Sequence, residues 1–230
     1  LSDLSIVEKL YQKAQKNTKS GQKEGMPMKE LVEKILTALK EGTSLRKLTF
    51  GKEELVLLKN FQLLTLKPVL YVANVNESGF ENNPHLDLIL DYATQDHSKV
   101  VPICAEIEAE ICELSNDEKK EFLLEMGQNE SGLDRLIKAG YDLLGLHTYF
   151  TAGEKEVKAW TITVGDSAPV AAGKIHTDFE KGFIRAETIS FQDYIDYKGE
   201  KGAKDAGKLR TEGKDYVVKD GDIMHFLHNT

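Results

Sequence analysis

Two stretches of this 230-residue chain carry residue types at spacings that suggest chemistry. GAKDAGKLR, residues 202–210, meets all but the last position of G-x-x-x-x-G-K-[ST] through Gly202, Gly207 and Lys208. In that pattern backbone N–H groups cradle phosphates, and the final hydroxyl holds magnesium. Leu209 stands where the hydroxyl belongs, and leucine ligates no metal. A phosphate loop also needs a buried strand before it and a helix after it, because the helix N-terminus supplies free N–H groups and a positive dipole end. The upstream DYIDYKGEK is polar, and Gly213 follows too soon for a useful helix. The stretch therefore reads as a basic surface loop. The second stretch is YVANVNESGF, residues 71–80. Asn74 and Glu77 follow an apolar β-rich run, and ligands of open α/β sheets bind at the carboxyl ends of strands. An amide and a carboxylate there can pair with the polar edge of a base.

The elements that would hold those residues are legible in the periodicity. PVLYVANV (68–75) reads as a strand buried on both faces, as in a parallel sheet. Asn83-Pro84 opens a helix through about Tyr92, with Asn83 as its cap. KVVPIC (99–104) is a second buried strand, completing a βαβ unit. Upstream, Ile6, Val7, Leu10, Tyr11 and Ala14 recur at helical spacing. A second stripe of Met28, Leu31, Val32, Ile35, Leu36 and Leu39 follows Pro27. These predict an antiparallel helical hairpin, and a shorter helix follows over 52–60. Ser115 and Glu118 form a capping box for a helix ending at Gly127, and another helix runs about 132–144. Beyond Gly145 the pattern changes to short strands and turns. VKAWTITV, FIRAETIS, DYVVK and IMHFLHN read as strands, SAPVAAGKIH as a short helix capped by Ser167, and Asp220-Gly221 as a hairpin turn.

The formal net charge is −8, unevenly spread. Residues 1–60 sum to +4, 61–150 to −10 and 181–219 to +2. Basic ends around an acidic middle admit a polyanionic partner. No apolar run approaches the roughly 20 residues that span a bilayer. Two cysteines, Cys104 and Cys112, imply no disulfide framework and fit a reducing cytosol. His225 and His228 form H-x-x-H, but positions i and i+3 of a strand face opposite ways, so the pair is expected to be structural. Trp160 is expected in the core of the small sheet. The opening LSDLSIVEKL has neither an initiator Met nor a signal-type apolar segment, so the chain is expected to be a piece of a longer protein.

The N-x-x-E of Asn74 to Glu77 resembles the base-reading N-K-x-D of GTPases, and ICAEIE (103–108) resembles the S-A-K loop that comes after it, with Ala105 at the Ala position. Val75 replaces the Lys that covers the base, and Glu77 is one methylene longer than Asp, so guanine specificity should relax. The Val75 backbone offers a donor and an acceptor to an adenine edge. Longer stretches carry a broader likeness: YVANVNESGFENNP, VVPICAEIEAEI, AGYDLLGLHTYFTAGEKEVKAWTI, GKIHTDFEKGFIRAETISF and EGKDYVVKDGDIMHF. From Leu4 to Thr230 the chain resembles the C-terminal two-thirds of a YchF-type Obg-like ATPase, a ribosome-binding NTPase of the TRAFAC class, and the likeness implies a proteobacterial source.

That resemblance implies an α/β plus α+β architecture: the C-terminal part of a P-loop NTPase domain with a helical coiled-coil insertion, then a TGS domain of β-grasp, ubiquitin-like type. The corresponding segments are 1–60 (coiled coil), 61–145 (nucleotide-binding domain) and 146–230 (TGS). It implies a cytoplasmic, monomeric hydrolase that uses ATP in preference to GTP with Mg2+. Partners would be the ribosome (large subunit and 70S) and ribosomal RNA, with neither membrane nor DNA. The base-binding residues would be Asn74, Val75, Glu77, Ala105 and Glu106. Candidate ribosomal RNA contacts are Lys13, Lys16, Lys19, Lys23, Lys201, Lys204, Lys208 and Arg210. The family's phosphate loop, switch regions and catalytic His have no counterpart in these residues. The chain alone is therefore expected to hold no catalytic or metal-binding residue, to bind nucleotide weakly and to hydrolyse none. The alternatives are a non-enzymatic ribosome- or RNA-binding module and, less favoured, a small-molecule or stress-regulatory binding domain.

Overall fold

The computed structural model describes residues 1–19, 25–153 and 156–229. The chain falls into two compact units, Leu1–Gly140 and Tyr141–Thr230.

The first unit opens with α1 (Ser2–Lys19), α2 (Gly25–Lys40) and α3 (Lys52–Lys59). The predicted stripes form its core. Val7 of α1 is fully buried with Leu31, Val32, Ile35 and Leu36 of α2, together with Leu45, Leu58 and Leu63. Each such side chain contributes on the order of 2 kcal/mol by leaving water. Asp3 fixes the start of α1. Its carboxylate accepts from Leu64 N (2.9 Å), Thr65 N (2.7 Å) and Thr65 Oγ1 (2.6 Å).

The βαβ unit comes next, as expected: β1 (Leu70–Asn74), α4 (Pro84–Gln95) and β2 (Lys99–Ile103), with the strands parallel and Asn74 opposite Ile103. Asn83 Oδ1 accepts from His85 N and Leu86 N, the predicted cap, and α4 runs one turn past Tyr92. One expectation fails. β1 is not buried on both faces: Val72 is 46% exposed, because only two strands pair in this sheet among the described residues. Continuous apolar sequence marks a strand made to be covered, not one that is covered here.

After β2 come α5 (Ala105–Glu113), α6 (Asn116–Glu125) and α7 (Gly132–Leu144). The capping box is present: Glu118 Oε2 accepts from Ser115 N (2.9 Å) and Ser115 Oγ (2.6 Å). Of the stretch 103–108, Ile103 ends β2, Cys104 is the N-cap, and α5 begins at once with Ala105. Glu108 of α5 accepts from Gly132 N (2.6 Å) and Leu133 N (3.1 Å), so a carboxylate seats the N-terminus of α7.

The second unit contains β3 (Leu146–Ala152), β4 (Val157–Thr163), α8 (Ala168–Ile175), α9 (Thr177–Lys181), β5 (Phe183–Ser190), α10 (Phe191–Asp196), α11 (Glu200–Asp205), β6 (Arg210–Glu212) and β7 (Asp222–His228). The sheet order is β4-β3-β7-β5-β6, with β3 and β7 parallel and the other pairs antiparallel. Three small residues of α8, Ala168, Ala171 and Ala172, let that helix approach a core of Tyr149, Ile162, Ala186, Met224 and Phe226. The buried Tyr149 hydroxyl donates to Ala171 O at 2.8 Å.

Three local expectations are corrected here. DYVVK is not a strand; only Val217 bridges, to Ser167, because Tyr216 and Val218 are drawn inward to the core. Asp220-Gly221 turns the chain, with Gly221 at φ +79°, yet joins no hairpin: Asp220 Oδ1 instead accepts from Thr148 N, and Gly221 N donates to Thr148 O. Ser167 stands at the N-cap of α8 without a side-chain capping bond.

Candidate nucleotide-base site

β1 and β2 end side by side, and two hydrogen bonds join the segments just beyond their carboxyl ends. Asn74 Oδ1 accepts from Ala105 N at 3.1 Å, and Val75 N donates to Ile103 O at 2.8 Å. The predicted pair of segments is therefore brought together, with Asn74 as the strut between them. The parallel register forces this, since Asn74 lies opposite Ile103, two residues before Ala105.

The loop after Val75 is held in a tight turn. Gly79 N donates to Asn76 O at 2.9 Å, and Gly79 O accepts from Asn83 Nδ2 at 3.0 Å. A side chain at Gly79 would press on the Asn76 amide and the Val75 side chain. Asn83 thus serves both the helix and the loop. Its capping role was readable from Asn-Pro; its tether to Gly79 was not, because nothing local in the sequence encodes it.

The geometry decides which polar atoms remain for a ligand. The Asn74 carbonyl oxygen is engaged, which leaves its NH2 as a donor. The Val75 N–H is engaged too, so the expected donor–acceptor pair on that backbone is corrected to an acceptor alone. A free carbonyl accepts from the exocyclic amine of adenine and opposes the carbonyl of guanine. Asn74, Glu77, Ala105 and Glu106 are all exposed, and Val75 is half-buried. Glu77 lies in the turn at 77–80, and Glu106 in the first turn of α5.

Of the candidate RNA contacts, Lys13 and Lys16 of α1 and Lys201 and Lys204 of α11 are exposed. Lys23 and the side chain of Lys19 lie outside the described residues. Lys208 Nζ is 3.5 Å from Asp193 Oδ1. Arg210 is tied to Asp222 and Glu212 and lies over the Tyr216 ring. The near-match to a phosphate loop is α11, a turn at Gly207 (φ +70°), then β6. That is helix-turn-strand, the reverse of what phosphate binding needs, and the reading of a simple loop is corrected to this arrangement.

Among the described residues no group of three or more His, Cys, Asp or Glu side chains is placed to hold a metal ion. His228 is stacked on Phe179 with centroids 3.8 Å apart. Cys104 is buried and Cys112 exposed, both as free thiols. No helix of the described residues is long and apolar enough to cross a membrane.

Comparison with known proteins gives consistent relatives. The family YchF-GTPase_C, described as a protein of unknown function (DUF933), matches residues 146–229. The chain is 56% identical over 229 residues to Ribosome-binding ATPase YchF of Escherichia coli O157:H7, covering 100% of this chain and 63% of that protein. It is 48% identical over 232 residues to the protein of the same name from Bacillus subtilis (strain 168), again 63% of its length. The chain thus spans less than two thirds of the length of these relatives. The solved YchF GTPase of Schizosaccharomyces pombe superposes with a TM-score of 0.85 at 35% identity, covering 98% of this chain and 62% of that one. A GTP-binding protein from Pyrococcus horikoshii OT3, at TM-score 0.52 and 18% identity over 78% of this chain and 51% of that one, shares the fold alone.

Proposed function

The chain belongs to the YchF family, and on that premise we propose that it is the C-terminal portion of a cytoplasmic, ribosome-binding ATPase, bearing the base-reading half of its nucleotide site. The observation that carries the proposal is the Asn74–Ala105 bond at the ends of paired parallel strands. Asn74 and Val75 present an amide donor and a carbonyl acceptor to a purine, which favours adenine over guanine. Ala105 and Glu106 form the facing wall, and Glu77 stands at the rim.

The residues present fit a base and not its phosphates or magnesium. The chain contains no complete G-x-x-x-x-G-K-[ST], and its near-match is ordered the wrong way round. Phosphoryl transfer depends on positioning and charge stabilisation by such a loop and its metal, so this chain by itself hydrolyses no ATP. The exposure of Val72, Leu88 and Ile137 supports a nucleotide-binding domain completed by further strands in the longer relatives. The helices of 1–60 are read as the coiled-coil domain. The sheet order β4-β3-β7-β5-β6 under one short helix supports a β-grasp TGS domain over 146–230.

The test is saturation-transfer NMR of the 230-residue chain with adenosine, ATP and GTP. Adenosine and ATP should give equal, weak transfer, GTP less, and Asn74→Ala none. ATP binding at least tenfold tighter than adenosine would overturn the assignment. A second reading, a ribosome- or RNA-binding module without catalysis, draws on the exposed Lys13, Lys16, Lys201 and Lys204. Ribosome co-sedimentation that weakens with salt and with Lys→Glu changes at these positions supports either reading; adenosine transfer that is lost in Asn74→Ala supports the first alone.

A further inference from the structure

The second unit leaves part of its core face open. α8 has 8 residues and so is about 12 Å long, while β4 has 7 residues and spans about 23 Å. The helix therefore cannot cover the sheet to its end. Beyond Ile175 a groove of about 820 Å³ opens, lined by Thr151, Lys158, Trp160, Ile175, Phe179 and His228 among others.

Its walls are aromatic and prearranged. Trp160 is half-buried, and its indole N–H donates to Thr151 Oγ1 at 3.0 Å, which fixes the ring plane. Lys158, exposed and without an ion pair among the described residues, holds its ammonium 4.2 Å from the Trp160 ring centroid. Phe179 and His228 stack as a second plate. The buried His228 Nδ1 has no hydrogen-bond partner, so one polar atom at the wall is unsatisfied by the fold itself.

Lys158 covers one face of the fixed Trp160 ring, with Glu156 also at the groove, so a ligand whose phosphate draws the ammonium aside would free that face for its own flat base. Successive unpaired bases stack on aromatic side chains while lysines take the backbone phosphates. The geometry points to an unpaired nucleobase of single-stranded RNA in this groove, its flanking phosphate paired with Lys158. The site lies in a different unit from Asn74. It rests on the ribosome-binding reading only for RNA as the source of the base.

Trp160 is the only tryptophan in the chain, so its fluorescence reports directly. Titration with hexaadenylate RNA should quench it, less so at higher salt. A duplex RNA of equal length and free AMP should have little effect. Lys158→Ala, an exposed change, should weaken binding several-fold. Trp160→Leu, followed by anisotropy of labelled RNA, should weaken it about tenfold or more. Hexauridylate RNA, which offers no adenine to the Asn74 site, should also quench, because stacking tolerates any base. Absence of quenching, equal quenching by AMP, or indifference to Lys158→Ala would overturn the groove assignment. Should the intact chain still sediment with ribosomes in that event, the proposed function would stand without the groove; if it sediments with none, both fall.

Discussion

At the scale of single residues, Asn74 does two jobs with one amide. Its oxygen braces Ala105 and its nitrogen is left for a ligand. Asn74→Asp keeps the acceptor and removes the donor, so it should preserve the fold while lowering adenosine binding; unchanged urea midpoints alongside lost saturation transfer would show this. Tyr149 gives a purely structural contrast. Burial pushes its phenol well above the ordinary value, and its hydroxyl has one partner, Ala171 O. Tyr149→Phe removes that bond and should cost about 1 kcal/mol in denaturant unfolding. The importance of Asn74 was visible in the sequence because it closes an apolar run. The loss of the Val75 donor was not visible, since it depends on the register with Ile103.

At the scale of elements, the helical segment and the βαβ unit meet at one buried carboxylate. Asp96, at the C-terminal end of α4, is fully buried. Its Oδ2 accepts from Arg46 Nε at 2.9 Å, Tyr71 OH at 3.1 Å and Ser98 Oγ at 3.2 Å, with Lys47 Nζ 3.7 Å from Oδ1. Burial alone would raise its pKa; the bonds from Arg46 and Tyr71, with the charge on Arg46, outweigh it and hold the carboxyl below its ordinary range. Asp3 is lowered in the same way, burial opposing the bonds from Thr65 and Leu64. A carboxylate lowered on folding stabilises above its unfolded pKa of about 3.9, and that stability is lost as pH falls through the folded value. The first unit should therefore weaken below about pH 4. Asp96→Asn should flatten this acid limb and cost about 2 kcal/mol at neutral pH, measured as urea midpoints against pH. None of this network could be read in advance. Arg46, Tyr71 and Asp96 are 25 to 50 positions apart and carry no shared pattern. The helices and strands themselves were readable because amphipathic period and capping chemistry are local: Asn83-Pro84 and Ser115 to Glu118 do what their spacing says.

At the scale of the whole molecule, two separate cores imply two cooperative transitions. Thermal unfolding of the chain should resolve into two steps, and Tyr149→Phe should move only the step belonging to Tyr141–Thr230. Calorimetry showing a single transition shifted as a whole would contradict this. The strand–turn alternation begins after Gly145, whereas the second compact unit begins at Tyr141, inside α7. DYVVK has the composition of a strand, and only the inward pull of Tyr216 and Val218 reveals that it does not pair as one.

The two glycines of GAKDAGKLR are each demanded by the local backbone. A side chain at Gly202 would collide with the Tyr197 carbonyl, and Gly207 sits at positive φ where α11 ends. Any homologue that keeps this turn keeps the glycine spacing, so the resemblance to a phosphate loop persists without selection for phosphate. One substitution, Leu209→Ser, would complete the signature on paper. The resulting protein should gain no affinity for triphosphate, a false positive that any text-based search would accept and a calorimeter would reject.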